Sequence, residues 1–289
     1  KEVRTICVIG GSGFLGSHVA DALSETGFRV RILDKVCSPW KSDDQEIMVG
    51  DILDEALLNR AISGCDAVYN FAAFADLDEA LKKPVETVNV NILGNVYVLE
   101  ACRHHKVSRY IYASTVYVHS REGGFYRCSK QAAEQYVEEF QRIFGLEYTV
   151  LRFGSLYGPR SDHRNGIWRI LKNALETGKV RYEGYAEAMR EYIHVKDAAR
   201  ASVMALGEDF RNQHMVITGQ EPMRVADLLK MLAELLGLSQ EVEFISTNRS
   251  GHYIRTPYAY QPKLGRKYVL PMHVDLGQGL LELIGEIQQ

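Results

Sequence analysis

Cysteine is scarce and unpatterned in this 289-residue chain. Five residues (Cys7, Cys37, Cys65, Cys102 and Cys128) are scattered, odd in number, and outside any Cys-x-x-Cys or Cys/His grouping. That excludes a disulfide framework and a cysteine-based zinc site, and predicts reduced, core-packed thiols in a cytoplasmic protein. Charge of one sign is also missing: 34 Lys and Arg stand against 37 Asp and Glu, a formal net charge of −3. No general field therefore draws the chain to nucleic acid or to an anionic membrane. There is no long apolar run. The stretch from Ile6 to Ala20 is broken by glycines, serines and a histidine, which fits neither a signal peptide nor a membrane span. His119, His163 and His252 have no partner at ligand spacing and read as polar loop residues, so no metal site is expected. His104-His105 beside Lys106 reads as the solvated end of a helix, where cations suit the dipole.

What remains is ordinary globular composition, 46% hydrophobic and 25% charged, in a chain long enough for one large domain carrying a smaller partner. Short apolar runs at Ile6–Ile9, Val30–Leu33, Ala67–Asn70, Tyr110–Ala113 and Tyr148–Leu151 read as buried strands. Amphipathic stretches at His18–Thr26, Leu53–Ile62, Val90–His104 and Ser129–Phe144 alternate with them. Strand, helix, strand in this rhythm means parallel pairing with right-handed crossovers, hence an α/β, doubly wound parallel sheet. After Tyr157 the rhythm breaks. Gly158-Pro159 opens an irregular stretch holding Arg160, Arg164 and Arg169, followed by a helix and a strand near Val180. The expected division is residues 1–158 as a nucleotide-binding domain, with strands from about 190–218 returning to it. Residues 159–189 and 219–289 form a smaller C-terminal substrate-binding lobe.

The most informative segment follows the first strand: Gly10-Gly11-Ser12-Gly13-Phe14-Leu15-Gly16, opening a helix. Gly10 permits the tight turn, Gly13 lets backbone approach a pyrophosphate, and Gly16 lets helix and strand pack closely. The free N–H groups and positive dipole end of the helix would face the phosphates. This is the Rossmann arrangement. Asp34 closes the second strand, where a carboxylate accepts from ribose hydroxyls and repels a 2′-phosphate, favouring NAD over NADP. Lys35 beside it tempers that preference. Asp51, with Ile52, follows a probable third strand and is placed to reach the adenine.

Tyr126-Arg127-Cys128-Ser129-Lys130 sets a phenol and an ammonium four residues apart, on one face of a helix. A phenol with a pKa of about 10 is a poor base at neutral pH. A neighbouring lysine and a positive nicotinamide would both favour its ionised form, letting it take a proton from a substrate hydroxyl as hydride leaves carbon. Thr115, with Ser114 as fallback, ends the preceding strand and offers a hydroxyl to the reacting oxygen. A second match, Tyr192 and Lys196, lies in an alternating, extended pattern and would not share a face.

Together these segments resemble the extended short-chain dehydrogenases/reductases, in particular the nucleotide-sugar epimerases and dehydratases. Residues 10–16 look like that family's glycine loop, and Phe71-Ala72-Ala73 like its cofactor-lining turn after the fourth strand. Asn91-Ile92-Leu93-Gly94 is similar to the helix motif whose asparagine supports the active site. Tyr126 and Lys130 match the Tyr-x-x-x-Lys pair. Residues 151–159, with Phe153 and Ser155, resemble the segment joining cofactor and substrate sites. Residues 190–197 are similar to the run whose leading arginine, here Arg190, grips a diphosphate; Arg249 and Arg255 are further candidates for that clamp.

The resemblance implies NAD as cofactor, a nucleotide diphosphate sugar as substrate, and a homodimer through the helices at 90–104 and 129–144. The 4-epimerase activity is the leading expectation. A nucleotide-sugar reductase, dehydrogenase or dehydratase of the same family is the alternative, and a non-catalytic NAD-binding sensor or scaffold a remote one. Dehydratases of the family carry Asp-Glu after the catalytic threonine, where this chain has Val116 and Tyr117. The segment from Thr115 to Tyr126 is also shorter than usual, and Ser155 stands where many epimerases have asparagine.

Overall fold

The computed structural model describes residues 4–120, 122–238, 242–245 and 266–289. The main sheet takes β1 (Thr5–Ile9), β2 (Arg29–Asp34), β3 (Glu46–Val49), β4 (Ala67–Asn70), β5 (Arg109–Thr115) and β6 (Tyr148–Phe153). Short strands β7 (Ser155–Tyr157), β8 (Arg181–Glu183), β9 (Met189–Arg190) and β10 (Tyr192–His194) follow, before β11 (Gln213–Ile217) returns beside β6. After them come β12 (Met223–Arg224), β13 (Glu243–Ile245) and β14 (Arg266–Lys267), the last lying parallel beside β11.

The eight-stranded order is β14-β11-β6-β5-β4-β1-β2-β3, and neighbouring strands pair in parallel. The fold is thus the doubly wound Rossmann sheet that the alternation predicts. Because β2 and β4 flank β1 on opposite sides, the chain switches direction across the sheet there. Ligands of open α/β sheets bind at the carboxyl ends of strands at such a switch.

Helices α1 (Phe14–Glu25), α2 (Glu55–Ile62), α3 (Leu77–Lys82), α4 (Pro84–Val88), α5 (Gly94–His104) and α6 (Gly124–Phe144) belong to the first half. They are followed by α7 (Gly166–Thr177), α8 (Val195–Met204), α9 (Val225–Leu235) and α10 (Leu276–Ile287). Strand side chains alternate between faces, and each face has its own core. Cys7, Ile9, Val68, Tyr110 and Val150 pack with α2, α5 and α6 on one side. Ile6, Val8, Ile32, Tyr69 and Leu151 pack on the other, with Val19 and Leu23 of α1 and Ala198 of α8. A third cluster joins α7, α9 and α10 through Leu171, Leu228, Leu232 and Leu283, apart from the two sheet faces.

Several details depart from the sequence reading. The predicted helix over 90–104 is a longer run of α4, a wide π turn at Asn89–Leu93 and α5. The predicted 129–144 helix begins five residues earlier, at Gly124, after Gly123 takes a φ of 100°. Arg169 lies in α7, not in an irregular stretch. Core packing of thiols holds for Cys7, Cys65 and Cys102, whereas Cys37 and Cys128 are exposed. Tyr192 is in β10 and Lys196 in α8, so this second match shares no helix face. Among the described residues, no helix is long and apolar enough to cross a membrane.

Candidate active site

The turn after β1 is set by backbone contacts that leave little room for a side chain. Gly10 has φ +80°, and a Cβ there would meet Ala72 N and Phe71 C at 2.8 Å. A Cβ on Gly16 would overlap the Gly10 carbonyl oxygen, so the helix comes this close to the turn only because position 16 is glycine. Gly13 caps α1 without a side-chain bond, and the first turn holds no acidic residue. The first-turn N–H groups therefore lack partners within the helix and face outward with its positive end.

They open into a groove with two continuous compartments. One, of about 780 Å³, is walled by Gly10, Gly13, Phe14, Asp34, Lys35, Ile52, Phe71, Ala72 and Ala73, among others. The other, of about 670 Å³, takes in Leu15, Gly16, Thr115, Tyr126, Lys130, Phe153, Ser155 and Arg190. Asp34 is fixed at the lip of the first by accepting from Ser12 N at 3.0 Å and from Val36 N at 3.3 Å. Each oxygen keeps a further acceptor site for ribose hydroxyls. The unpartnered helix N-terminus, the glycine cradle and this carboxylate suit a dinucleotide: phosphates to the amides, ribose to the acid.

Two proposed cofactor residues stand outside those walls. Asp51 accepts from Leu53 N at 2.9 Å and pairs with Lys35 at 3.4 Å, so it shapes the turn before α2 and draws the Lys35 ammonium toward itself. Asn91, in the π turn, accepts from Phe74 N at 2.7 Å and donates to Phe74 O at 3.1 Å and Ser129 Oγ at 2.9 Å. Ser129 in turn donates to Tyr126 O at 2.7 Å. Asn91 thus ties the Phe71–Phe74 wall to the helix that carries Tyr126, and supports the site without lining it.

Tyr126 and Lys130 lie one turn apart in α6, with the Lys130 Nζ 5.8 Å from the Tyr126 ring centroid and 4.8 Å from that of Tyr112. The ammonium donates to Ala113 O at 2.7 Å. Thr115 hydrogen-bonds the Tyr126 phenol. Ser114 lines the same cavity but donates its hydroxyl to Glu134 at 2.6 Å and is not the partner of the phenol.

The electrostatics differ from the expectation of a lysine-ionised phenol. Burial pushes Tyr126 up to about 12, and the Thr115 hydrogen bond is the opposing pull. Burial drives Lys130 down to about 7, with the Glu134 carboxylate resisting. Both shifts come from desolvation, which disfavours each charged form.

Behind it lies a polar cluster that sequence reasoning missed. Arg152 grips Glu134 through Nη2 at 2.6 Å and Nε at 3.1 Å, with both side chains buried. His119, read from sequence as a polar loop residue, is instead buried, with Arg152 Nη1 3.4 Å from its Nε2. Burial and then the adjacent Arg152 lower it to about 4. The available signal was spacing: Glu134 follows Lys130 by four residues on the same helix face.

On the far wall, Ser155 lies in β7, paired with Tyr192 of β10. Arg190, half-buried at the cavity edge, donates to Met189 O at 2.9 Å. Arg164, Arg169, Tyr182 and Asp78 also line this compartment. Arg249 and Arg255, the other two proposed clamp residues, lie outside the described residues, as does His252.

Residues 6–218 match the family model described as the NAD dependent epimerase/dehydratase family. The chain belongs to that family. Members act on nucleotide sugars with NAD, a cofactor whose phosphates and ribose the glycine cradle and Asp34 described above would suit. A dTDP-glucose 4,6-dehydratase of Mycolicibacterium smegmatis is 26% identical over 313 aligned positions, covering 96% of this chain and 92% of that protein. The UDP-glucose 4-epimerase of Thermotoga maritima, solved with UDP-glucose, superposes with a TM-score of 0.85 at 27% identity over 99% of each chain. That of Thermus thermophilus, solved with NAD, gives 0.83 at 25% identity, again over 99% of each. Both activities of the family are thus represented among the relatives.

Proposed function

We propose that the protein is a nucleotide-sugar 4-epimerase working through a transient 4-keto sugar. One observation carries the choice. Where a dehydratase of the family places its acid and base after the catalytic threonine, this chain has Val116, buried against Val216, and Tyr117. Tyr126, Thr115 and Lys130 meanwhile share the cavity. Bound NAD supplies a hydride acceptor and donor, and a positive ring whose field favours the phenolate. With that cofactor held, Tyr126 would take the proton of the sugar 4-hydroxyl while C4 gave up hydride, and would return the proton once the resulting ketone had been re-reduced on its opposite face. Thr115 orients the oxygen, Lys130 holds the cofactor ribose and tunes the phenol, and Arg190 grips the diphosphate from the lobe.

The test is to incubate the purified chain with UDP- and dTDP-hexoses, resolving the C4 epimers while following nicotinamide absorbance. Interconversion with no net change in NADH is the expected result. Stoichiometric NADH consumption would make it a reductase. A 4-keto-6-deoxy product would make it a dehydratase, a second reading favoured by the mycobacterial relative and by the Asp78 and Glu183 carboxylates in the cavity wall.

The proposed partner is a second copy of the chain. Val85, Val88 and Leu93 on one side, with Tyr136, Ile143 and Phe144 of α6, leave large apolar side chains in solvent. Such patches on a folded surface mark association sites. Sedimentation at micromolar concentration is expected to give a dimer, and the substitutions Val85→Glu and Ile143→Glu, which place charge in the patch, to yield a monomer. A monomeric wild type would remove the interface.

A further inference from the structure

We propose that Arg164, on the loop between β7 and α7, closes over the bound dinucleotide from the substrate lobe and slows its release. The proposal rests on the NAD site described above. The loop is tied to the nucleotide-binding half at successive points. The Pro159 carbonyl oxygen lies 2.9 Å from His18 Nε2 in α1. Arg160 pairs with Asp21 of the same helix at 2.7 Å and stacks over Trp40, 5.4 Å from its ring centroid. Its backbone N–H donates instead to Glu286 of α10, on the C-terminal side, at 2.9 Å. Arg160 holds φ +70°, a left-handed conformation that a non-glycine residue keeps only where its surroundings impose it. At the other end, Asn165 donates to Leu156 O at 2.8 Å and caps α7 by accepting from Trp168 N at 3.0 Å.

Between those anchors stand Asp162 and Arg164. Asp162 accepts from Arg164 N at 2.9 Å, from its Nε at 3.0 Å and from its Nη2 at 2.7 Å. The carboxylate therefore aims the guanidinium without burying it, since the Arg164 side chain stays 68% exposed. Arg164 walls both compartments of the groove, whereas Arg169 and Arg190 wall the one holding Tyr126. It is also near enough to Asp34 for that carboxylate to strengthen its hold on its proton. A cation aimed by Asp162 and lining both compartments, as Gly13 and Phe14 at the start of α1 also do, suits an anion that spans them. A dinucleotide pyrophosphate is such an anion, and a planar guanidinium matches its oxygens. Retention matters chemically: a cycle that returns its own hydride strands a keto sugar whenever the reduced cofactor leaves.

The test uses the whole chain loaded with NADH and no sugar. Release is followed by the loss of nicotinamide fluorescence on chasing with excess NAD. Arg164→Ala is expected to release at least about tenfold faster, the effect of losing one charge-assisted bond. Arg164→Lys should fall between them, and salt should accelerate wild type more than the alanine variant. Lys172→Ala, on α7 outside the groove, should release like wild type. An Arg164→Ala rate indistinguishable from wild type overturns the proposal. If a raised KM for the sugar nucleotide accompanies that rate, Arg164 serves the substrate diphosphate instead. Because no sugar enters the release measurement, its outcome is independent of whether the chain epimerises, reduces or eliminates.

Discussion

A Tyr126→Phe chain is expected to keep its NAD and lose turnover by ~10²–10⁴-fold, the usual contribution of a positioned acid–base group. Phenylalanine keeps the ring that packs beside Lys130 and deletes the oxygen that Thr115 hydrogen-bonds. Cofactor content and melting temperature should therefore change little while kcat falls. The reason to expect so large a loss lies in the site's electrostatics. Burial holds the phenol near 12 and the lysine near 7, so proton transfer at this place depends on a phenol oxygen that the cofactor's positive ring and Thr115 together help to ionise, and the variant has no such oxygen. Full epimerisation by the variant, measured by separating C4 epimers, would end the assignment of Tyr126 as the base. A Thr115→Val chain should follow in the same direction with a smaller loss, since it removes the hydrogen bond that favours the ionised form.

The second large effect concerns stability. Glu134→Ala is expected to cost roughly 3–5 kcal/mol, because it leaves the Arg152 guanidinium buried without its counter-charge. Glu134 accepts from Ser114 at 2.6 Å and from Arg152 at 2.6 Å, so it pins the end of β5 to α6 directly behind Thr115. Urea midpoints at unchanged slope measure the loss. A change below about 1 kcal/mol would mean that the pair is replaceable by packing alone. Glu134→Gln, which keeps an acceptor for Ser114, should be milder; it should also lower the Lys130 pKa further, since the carboxylate now raises it.

The same cluster makes the fold acid-sensitive. His119 sits at about 4 in the folded chain against an unperturbed value near 6.5. Between those values the unfolded chain binds more protons, so stability is present above about pH 6.5 and falls as pH drops toward 4. His119→Gln should flatten that part of the stability profile.

The cofactor half was legible because its constraints are local. A strand, a glycine turn and a helix N-terminus occupy one short segment, and the steric need for hydrogen at Gly10 and Gly16 is written in residue type. Tyr126 and Lys130 could be paired from spacing alone, since a helix places residues four apart on one face. The alternation of apolar runs with amphipathic stretches likewise specified a parallel sheet before any contact was known. Charge pairs between distant segments were not legible. Arg152 and Glu134 are 18 residues apart in sequence, and His119 reads as polar loop until the strand order brings β5 and β6 side by side. Tertiary structure also decided the direction of the Tyr126 and Lys130 shifts, because desolvation depends on what surrounds a group and not on its neighbours in the chain. It turned Ser114 toward Glu134 and Asp51 toward Lys35. It also set Arg164 over the groove through anchors at His18, Asp21 and Glu286, which lie more than a hundred residues away along the chain.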